Sequence, residues 1–225
     1  MLGGMKMSRQ MSETLRVGMI LAVSGGFMDA YSYLCRDHVF ANAQTGNMLL
    51  LGVHFSQGDV SGAFQYLCPV VAFTIGIIVS DILRYRTDGR QSSLHWRQCS
   101  LLIEAVLLLA VAFIPFRYNL LANSIISLAC GIQVESFRKI HDNGIATTMC
   151  IGNLRSGTQN LCEYIFKKDR SRLRKSLLYY GIIGCFMLGA VMGSIVILWL
   201  QEKSILMCSG ILCIAFVMMY GRRQR

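Results

Sequence analysis

Long apolar stretches alternate with short, mostly basic polar segments along the whole chain. Crossing the hydrocarbon core of a bilayer as a helix takes about 20 apolar residues. Six stretches approach or reach that length: residues 17–35, 62–83, 99–116, 120–137, 177–200 and 205–220. A soluble protein could bury one such helix, but not all six within one small domain. The pattern predicts an all-α fold, a polytopic membrane helix bundle with about six transmembrane helices.

Two shorter segments, residues 39–55 and 146–166, are each interrupted by a Gly-Asn pair. After Asn47 the first segment keeps only eight apolar residues. Eight helical residues rise about 12 Å, less than half of the hydrocarbon thickness. The second segment contains Arg155 and Glu163, and a central arginine alone costs about 2.5–3.5 kcal/mol on insertion scales. We therefore expect two re-entrant or broken segments that do not cross the bilayer.

The distribution of basic residues selects an orientation. The chain has 22 lysines and arginines and a net charge of +10, and the basic residues lie in the loops. The positive-inside rule explains that charge, so no nucleic-acid partner is implied. Six crossings place 19 basic residues inside and 3 outside, whereas eight crossings give 13 against 8 with Arg155 left in the bilayer. We expect a multi-pass protein of the cell inner (plasma) membrane with the lipid bilayer as its partner and both termini cytoplasmic.

The two halves of the chain resemble each other when one is shifted by 106 residues. The shift places Gly25 on Gly131, Asp29 on Glu135 and the first Gly-Asn pair on the second. We predict a single membrane domain, residues 1–225, made of repeat 1 (residues 16–117) and repeat 2 (residues 118–222). Three crossings per repeat is an odd number, so the two copies form inverted-topology repeats. The broken segments then enter from opposite sides and meet near the midplane.

The broken segments supply most of the candidate site residues. Non-helical backbone at membrane depth is tolerated only where protein buries it or where it lines a water-filled cavity. A half-helix beginning near each Gly-Asn pair would point its positive end at the centre, where it can hold an anion or polar solute, or oppose cations. The alternative is that these side chains only hold packed helices together. The solute-binding or pore-lining candidates are Asn42, Gln44, Thr45, Gly46, Asn47, Thr147, Thr148, Gly152 and Asn153.

Asp29 and Glu135 are further candidates because they lie within apolar stretches. An ionisable residue at such depth faces the bundle interior or water and indicates a functional site. Three roles are open for Asp29. It could bind a proton or a cation, it could pair with Arg155 or Arg36, or it could be a helix-end carboxylate near the headgroups. Glu135 lies closer to the cytoplasmic end.

Other residues add less to the functional prediction. Glu104 and Asp81 are expected near cytoplasmic helix ends, where they balance basic loops. Nine scattered cysteines form no CxxC pair and no metal-ligand cluster, so we expect free thiols and no metal. No nucleophile lies in a catalytic setting, so neither an enzyme nor a cofactor is expected. The small residues Gly184, Gly189 and Gly193 predict close helix contact and leave homo-oligomerisation open.

Two stretches resemble a known family. Residues 26–30 (GFMDA) and 39–47 (VFANAQTGN), followed by LLLG at 49–52, are similar to the YoaK-type family, domain of unknown function 1275. The resemblance extends over nearly the whole chain and implies a bacterial multi-pass inner-membrane protein without an established activity. The family motif maps onto Asp29, Asn42, Thr45, Gly46 and Asn47, and in the second half onto Gln133, Thr147 and Gly152. Ile151 stands where the family often has a threonine.

Two functional hypotheses follow from these patterns. The first is a small-solute transporter or channel, in which Asp29 and the two Gly-Asn segments line a central site. The second is a non-transporting membrane scaffold or partner subunit.

Overall fold

The computed structural model describes residues 2–87, 96–138, 145 and 147–220. All the regular structure in these residues is helical, which confirms the predicted all-α class. The α-helices are α1 (Leu2–Cys35), α2 (Gln44–Ser56), α3 (Val60–Thr87), α4 (Trp96–Val111), α5 (Asn119–Ser136), α6 (Cys150–Lys167), α7 (Arg170–Leu200) and α8 (Leu206–Tyr220). Outside the described residues lie residue 146, where the second broken segment was predicted to begin, and residues 221–222 of the predicted second repeat.

Two helix ends show how local chemistry sets the boundaries. The stretch predicted as helix over 99–116 is too long, since α4 ends at Val111. Pro115 has no N–H to donate and disfavours helical backbone in the residue before it; it is extended and leads into a short 3₁₀ turn, Phe116–Tyr118. At the start of α7, the Asp169 carboxylate accepts the backbone N–H of Ser171 at 2.8 Å and caps the helix.

The helices pack in a regular arrangement. α1 lies against α7 and α3 against α5; α2 lies against α3 and α6 against α7. α4 lies against α8, while α4 also contacts α5 and α1 also contacts α8. The main apolar core forms where α1, α4, α5 and α8 meet, and its fully buried members include Leu21, Phe27, Leu101, Ile126 and Leu212.

The outer surface of the bundle is apolar. On α3 the large side chains Phe64, Val71, Ile75, Ile78 and Ile82 are all exposed. Contiguous exposed apolar surface of this kind suits lipid rather than water. Among the described residues, three stretches are long and apolar enough to cross a membrane, namely Leu15–Cys35, Val60–Arg86 and Arg170–Met219, the last of which includes both α7 and α8.

Glycines allow α1 and α7 to approach closely. A Cβ atom on Gly189 of α7 would overlap the carbonyl oxygen of Val23 on α1, and one on Gly26 of α1 would overlap that of Phe186. Gly193 is in close contact with Phe27. The prediction of close contact holds for Gly189 and Gly193. It fails for Gly184, which has no neighbouring atom within 4 Å of an added Cβ.

The chain between α1 and α2 turns back along α1. The backbone N–H of Ala41 donates to Ser32 Oγ at 3.1 Å, so the segment after α1 descends beside the helix that it has just left. α2 then rises again, and Gln65 near the start of α3 donates to the carbonyl of Asp37 at 2.7 Å. α2 therefore begins beside the middle of α1 and ends at the end of the bundle that holds Arg36, called here the Arg36 end.

The segment that contains α6 lies at the other end of the bundle. α5 ends at Ser136, and its hydroxyl is 2.9 Å from that of Ser80 near the end of α3. α6 pairs with the start of α7 in a hairpin, in which Ser176 Oγ donates to the Gly157 carbonyl at 2.9 Å. α6 thus begins inside the bundle and ends where α7 starts, called here the Arg138 end.

Candidate functional site

Asp29 fixes the extended segment that precedes α2. Its Oδ1 accepts the backbone N–H of Asn42 at 2.7 Å, and the Asn42 side-chain amide donates to the carbonyl of Gly25 at 3.1 Å. Asp29 also lies next to the backbone N–H groups of Ala41 and Ala43. A carboxylate at the N-terminal end of a helix interacts favourably with the positive end of the helix dipole. The predicted residues Asp29 and Asn42 are therefore in direct contact, with Asp29 beside the start of α2.

Asn47 braces the same segment from within α2. It is completely buried. Its Oδ1 accepts the Phe40 N–H at 3.0 Å, and its amide nitrogen donates to the Phe40 carbonyl at 2.7 Å and to Gln44 Oε1 at 2.8 Å. Gln44 in turn donates to the Ala41 carbonyl at 2.8 Å. α2 begins at Gln44, so the predicted pair Gly46 and Asn47 lies in the first turn of the helix.

The second broken segment reaches the same part of α1. Gln133 of α5 donates to the Leu21 carbonyl at 3.2 Å and lies 3.5 Å from Thr147 Oγ1. The methyl group of Thr148 occupies the space that a Cβ on Gly25 would need. Asn42 and Thr148 thus touch the same residue of α1, one from each broken segment.

Several polar atoms at this meeting point are buried without a hydrogen-bond partner among the described residues. They are Ser24 Oγ, Asn42 Oδ1, Gln133 Oε1 and Thr148 Oγ1. Buried polar atoms in native proteins are nearly always paired with protein, ordered water or a ligand. This group therefore offers two amide oxygens that accept hydrogen bonds and two hydroxyls that can accept or donate them. We call Ser24, Gly25, Asn42, Gln133 and Thr148 the Gly25 cluster.

The other predicted residues lie outside the Gly25 cluster. Glu135 forms an ion pair of 3.1 Å with Arg138 at the end of α5. Thr45 is exposed and Gly46 packs against the Phe40 ring. Gly152 is exposed in the first turn of α6, beside buried Asn153, which has interaction partners of its own.

Sequence reasoning missed the most extensive polar contact set, which surrounds Arg36. Arg36 is completely buried. Its guanidinium donates to Tyr31 Oη at 3.0 Å, to Asn119 Oδ1 at 3.0 Å and to the Ile114 carbonyl at 2.8 Å. The predicted pairing of Asp29 with Arg36 is wrong because these oxygens occupy the guanidinium. Arg155, the other predicted partner, is exposed on α6. Two signals could have pointed to this site: a lone arginine at the end of an apolar helix, and Asn119 at the start of another.

Glu104 is also placed differently from the prediction. It lies in the middle of α4 rather than at a helix end, and its side chain is completely buried. Neither carboxyl oxygen has a hydrogen-bond partner in the described part of the chain. It therefore balances no basic loop. All nine cysteines are free thiols, as predicted.

A bundle of helices with apolar outer faces and a buried polar centre defines a helical membrane protein. The chain belongs to the family described as "Protein of unknown function (DUF1275)", which it matches over residues 17–218. It is similar to the UPF0700 transmembrane protein YoaK of Bacillus subtilis (strain 168), with 26% identity over 181 residues, 76% of this chain and 79% of the relative. No solved structure matches the chain. The predicted family resemblance is confirmed.

Proposed function

We propose that the protein is a transporter or channel for a small polar solute, with its site at the Gly25 cluster. One observation carries the proposal: residues from both broken segments, Asn42 and Thr148, contact Gly25. Polar, non-helical backbone at membrane depth is tolerated where it lines a cavity or is buried by protein. Transporters commonly build their sites from such discontinuous helices near the midplane.

The proposed site favours a solute that donates hydrogen bonds. The unpartnered atoms of Asn42 and Gln133 are acceptors, and the hydroxyls of Ser24 and Thr148 can also accept. Asp29 adds a carboxylate next to Asn42. The solute class is therefore a small neutral or cationic molecule with N–H or O–H groups, rather than the anion that the two half-helix ends alone would suggest.

The inverted repeat is part of the proposal and is supported by how the helices pack. In the proposed repeat, helices α1, α2, α3 and α4 of the first half correspond to α5, α6, α7 and α8 of the second. The contact of α1 with α7 then corresponds to the contact of α5 with α3. The same correspondence relates α2–α3 to α6–α7 and α4–α5 to α8–α1. An odd number of crossings in each half would place the two copies in opposite orientations.

Glycine contacts refine the alignment of the proposed repeats. A Cβ on Gly131 of α5 would overlap the carbonyl of Phe73 on α3, just as one on Gly26 would overlap that of Phe186 on α7. Gly26 is thus the counterpart of Gly131, and the shift between α1 and α5 is 105 residues, not 106. Asp29 then corresponds to Val134, and only the first half carries a carboxylate at this position.

The membrane topology in this proposal has six crossings, with α2 and α6 re-entering from opposite sides. The Arg138 end carries Arg84, Arg86, Arg138, Lys167, Lys168, Arg170 and Lys175, and the Arg36 end carries Arg36, Arg117 and Lys203. The positive-inside rule makes the Arg138 end cytoplasmic. We therefore place both termini in the cytoplasm and the protein in the cell inner membrane.

One observation favours the second candidate, a scaffold that transports nothing. The hydrogen-bonding groups of the Asn47 side chain are all paired with Phe40 and Gln44 within its own segment.

A groove of about 290 Å³ is also found away from the Gly25 cluster. It is mostly apolar and is lined by Leu15, Met19, Arg174, Leu177, Leu178, Gly181 and Ile182. If the packed state seen here is the only state, the amides serve packing alone.

Liposome swelling separates these two functions. Purified protein in liposomes is exposed to isosmotic urea, glycerol and methylammonium, and uptake is followed by light scattering. We expect uptake of at least one solute, and a reduction of about tenfold in Thr148→Val, because removing one site hydrogen bond is worth about 1.4 kcal/mol. Thr74→Val is the matched control, since Thr74 is exposed on α3 and bonds only the Val70 carbonyl.

Two results would overturn the proposed function. One is the absence of uptake for every solute with protein shown to be folded by gel filtration. The other is uptake that Thr148→Val and Thr74→Val change equally. The first result favours the scaffold, and the second places transport outside the Gly25 cluster.

A further inference from the structure

Glu104 is a buried carboxyl group that belongs neither to the Gly25 cluster nor to the contacts around Arg36. Its exposed fraction is 0%, and both oxygens are without hydrogen-bond partners in the residues described. An ionised carboxylate in such a place has lost its hydration and gained nothing in return, which is prohibitively costly. In the packed state the group is therefore a neutral carboxylic acid.

Among the described residues, the elements around Glu104 bring thiols towards it but no cation partner. α8 is fixed beside it by Ser209, whose hydroxyl donates to the Ala105 carbonyl at 2.8 Å. α8 and α5 bring buried Cys208 and Cys130, and Cys130 is close enough to interact electrostatically with Glu104 and with Asp29 of α1.

The charged groups of the other contacting elements are engaged elsewhere. On α3, Asp81 and Arg84 interact with Glu135 at the Arg138 end. In the 3₁₀ turn before α8, the Glu202 carboxylate accepts the Phe116 N–H at 2.8 Å at the Arg36 end. On α4 itself, Arg97 lies over the Trp96 ring in the first turn. None of these groups supplies a hydrogen-bond or ion-pair partner to Glu104 among the described residues.

We propose that Glu104 is a proton-binding site whose loading and unloading control the opening of the bundle. When the core around α4 opens to water, the O–H bond of Glu104 breaks and the proton passes to water. The carboxylate that remains is hydrated and resists closure. The core packs again when a proton returns from water to the carboxylate.

This proposal deepens the proposed function and rests on it. Cys130 of α5 interacts with Asp29, which is bonded to Asn42 of the Gly25 cluster. A change in packing at Glu104 therefore acts on a helix that touches the solute site. Transport would then be coupled to one proton per cycle, since intramembrane carboxyls commonly form proton relays in transporters.

Infrared spectroscopy tests the protonated state directly. The wild-type protein in lipid at neutral pH is expected to show the C=O stretching band of a buried carboxylic acid, with slow deuterium exchange. Glu104→Gln should lose that intensity, whereas Glu202→Gln, a change at the partly exposed glutamate near the Arg36 end, should keep it. A spectrum without such a band in the wild-type protein overturns the proposal, even if Glu104→Gln does not fold.

Alkylation of Cys130 by N-ethylmaleimide tests the control of opening without any solute. One proton released on opening changes the open fraction by up to about tenfold per pH unit. The Cys130 rate, divided by that of exposed Cys162 to remove the thiol's own titration, should rise by up to about a hundredfold over the two units between about pH 6 and pH 8. In Glu104→Gln this ratio should not change with pH.

The outcomes distinguish the two proposals. An equal pH dependence of the ratio in wild type and Glu104→Gln overturns the proton site, whether or not liposome uptake is found. A pH dependence that Glu104→Gln abolishes supports proton-controlled opening; if no solute is taken up, only the transport function fails.

Discussion

Arg36 donates a hydrogen bond of 3.0 Å to the side-chain oxygen of Asn119, which lies 83 residues later in the chain. Asn119 is the first residue of α5, and the amide of Asn123, one turn later, donates back to the Arg36 carbonyl at 2.6 Å. The guanidinium also reaches the Ile114 carbonyl after α4. One side chain thus joins the end of α1, the end of α4 and the start of α5, and satisfies backbone groups that α4 leaves free.

Replacing Arg36 should destabilise the whole bundle. In Arg36→Met the half-buried Asn119 and Ile114 oxygens lose their donor, at a cost of up to about 1–3 kcal/mol each. We expect the thermal midpoint in detergent, followed by fluorescence-detected gel filtration, to fall by more than about 5 °C. Arg36→Lys should recover only part of the lost thermal stability, because one ammonium group cannot reproduce the several hydrogen bonds of the planar guanidinium. Exposed Arg117, substituted by Gln, is the control, and an equal fall in both variants would contradict this role.

The cap of α7 predicts a pH effect outside the membrane-spanning helices. The hydroxyl and the N–H of Ser171 both donate to Asp169 and hold the pKa of that carboxyl below its ordinary value of 3.8. Because the folded-state pKa is depressed, the stabilisation is fully present above about pH 4 and disappears as the pH falls through the folded pKa. Carbon NMR of Asp169 should give a midpoint below 3.8, and Ser171→Ala should raise it. A midpoint unchanged by Ser171→Ala would show that the Ser171 hydroxyl does not bond the Asp169 carboxylate.

The apolar pattern predicted the helices because lipid imposes one strong rule: every spanning backbone must satisfy its own hydrogen bonds. The positions of the broken segments followed from the same rule, since Gly-Asn pairs and Arg155 interrupt the apolar run. The apolar pattern could not predict which side chains that are distant in sequence come into contact. The apolar pattern did not reveal this role of Arg36 because two of its oxygen partners, Asn119 at the start of α5 and the Ile114 carbonyl after α4, lie far away in sequence. Glu104 was assigned to a helix end because the predicted span begins at Cys99, five residues before it, whereas α4 begins at Trp96.

The topology proposal predicts which positions react from outside. In a cysteine-free background, single cysteines at Gln57 and Lys203 should react with a membrane-impermeant maleimide in intact cells. Cysteines at Tyr85 and Lys168 should react only after the cells are opened. All four positions are exposed, so accessibility within the bundle does not bias the comparison. Labelling of Tyr85→Cys in intact cells would refute six crossings, because α3 would then end outside.

Single-methyl substitutions at glycines provide the sharpest test of the helix packing and of the proposed repeat. Gly189→Ala places a methyl group on the Val23 carbonyl of α1, and Gly76→Ala on α3 places one on the Leu128 carbonyl of α5, both of them backbone atoms that cannot move aside. Overpacking of this kind typically costs about 1–3 kcal/mol. Both variants should lower the thermal midpoint in detergent by similar amounts, because the two contacts occupy equivalent places in the two halves.

The matched controls are Gly184→Ala and Gly181→Ala, on the same helix as Gly189 but with no atom within 4 Å of the added methyl group. Alanine is a better helix former than glycine by up to about 1 kcal/mol, so these variants should be neutral or more stable. If Gly189→Ala were as stable as Gly184→Ala, the close approach of α1 and α7 would be wrong. If Gly189→Ala were damaging and Gly76→Ala harmless, the contacts of α1 with α7 and of α5 with α3 would not be equivalent. The alignment of Gly26 with Gly131 would then lose its basis.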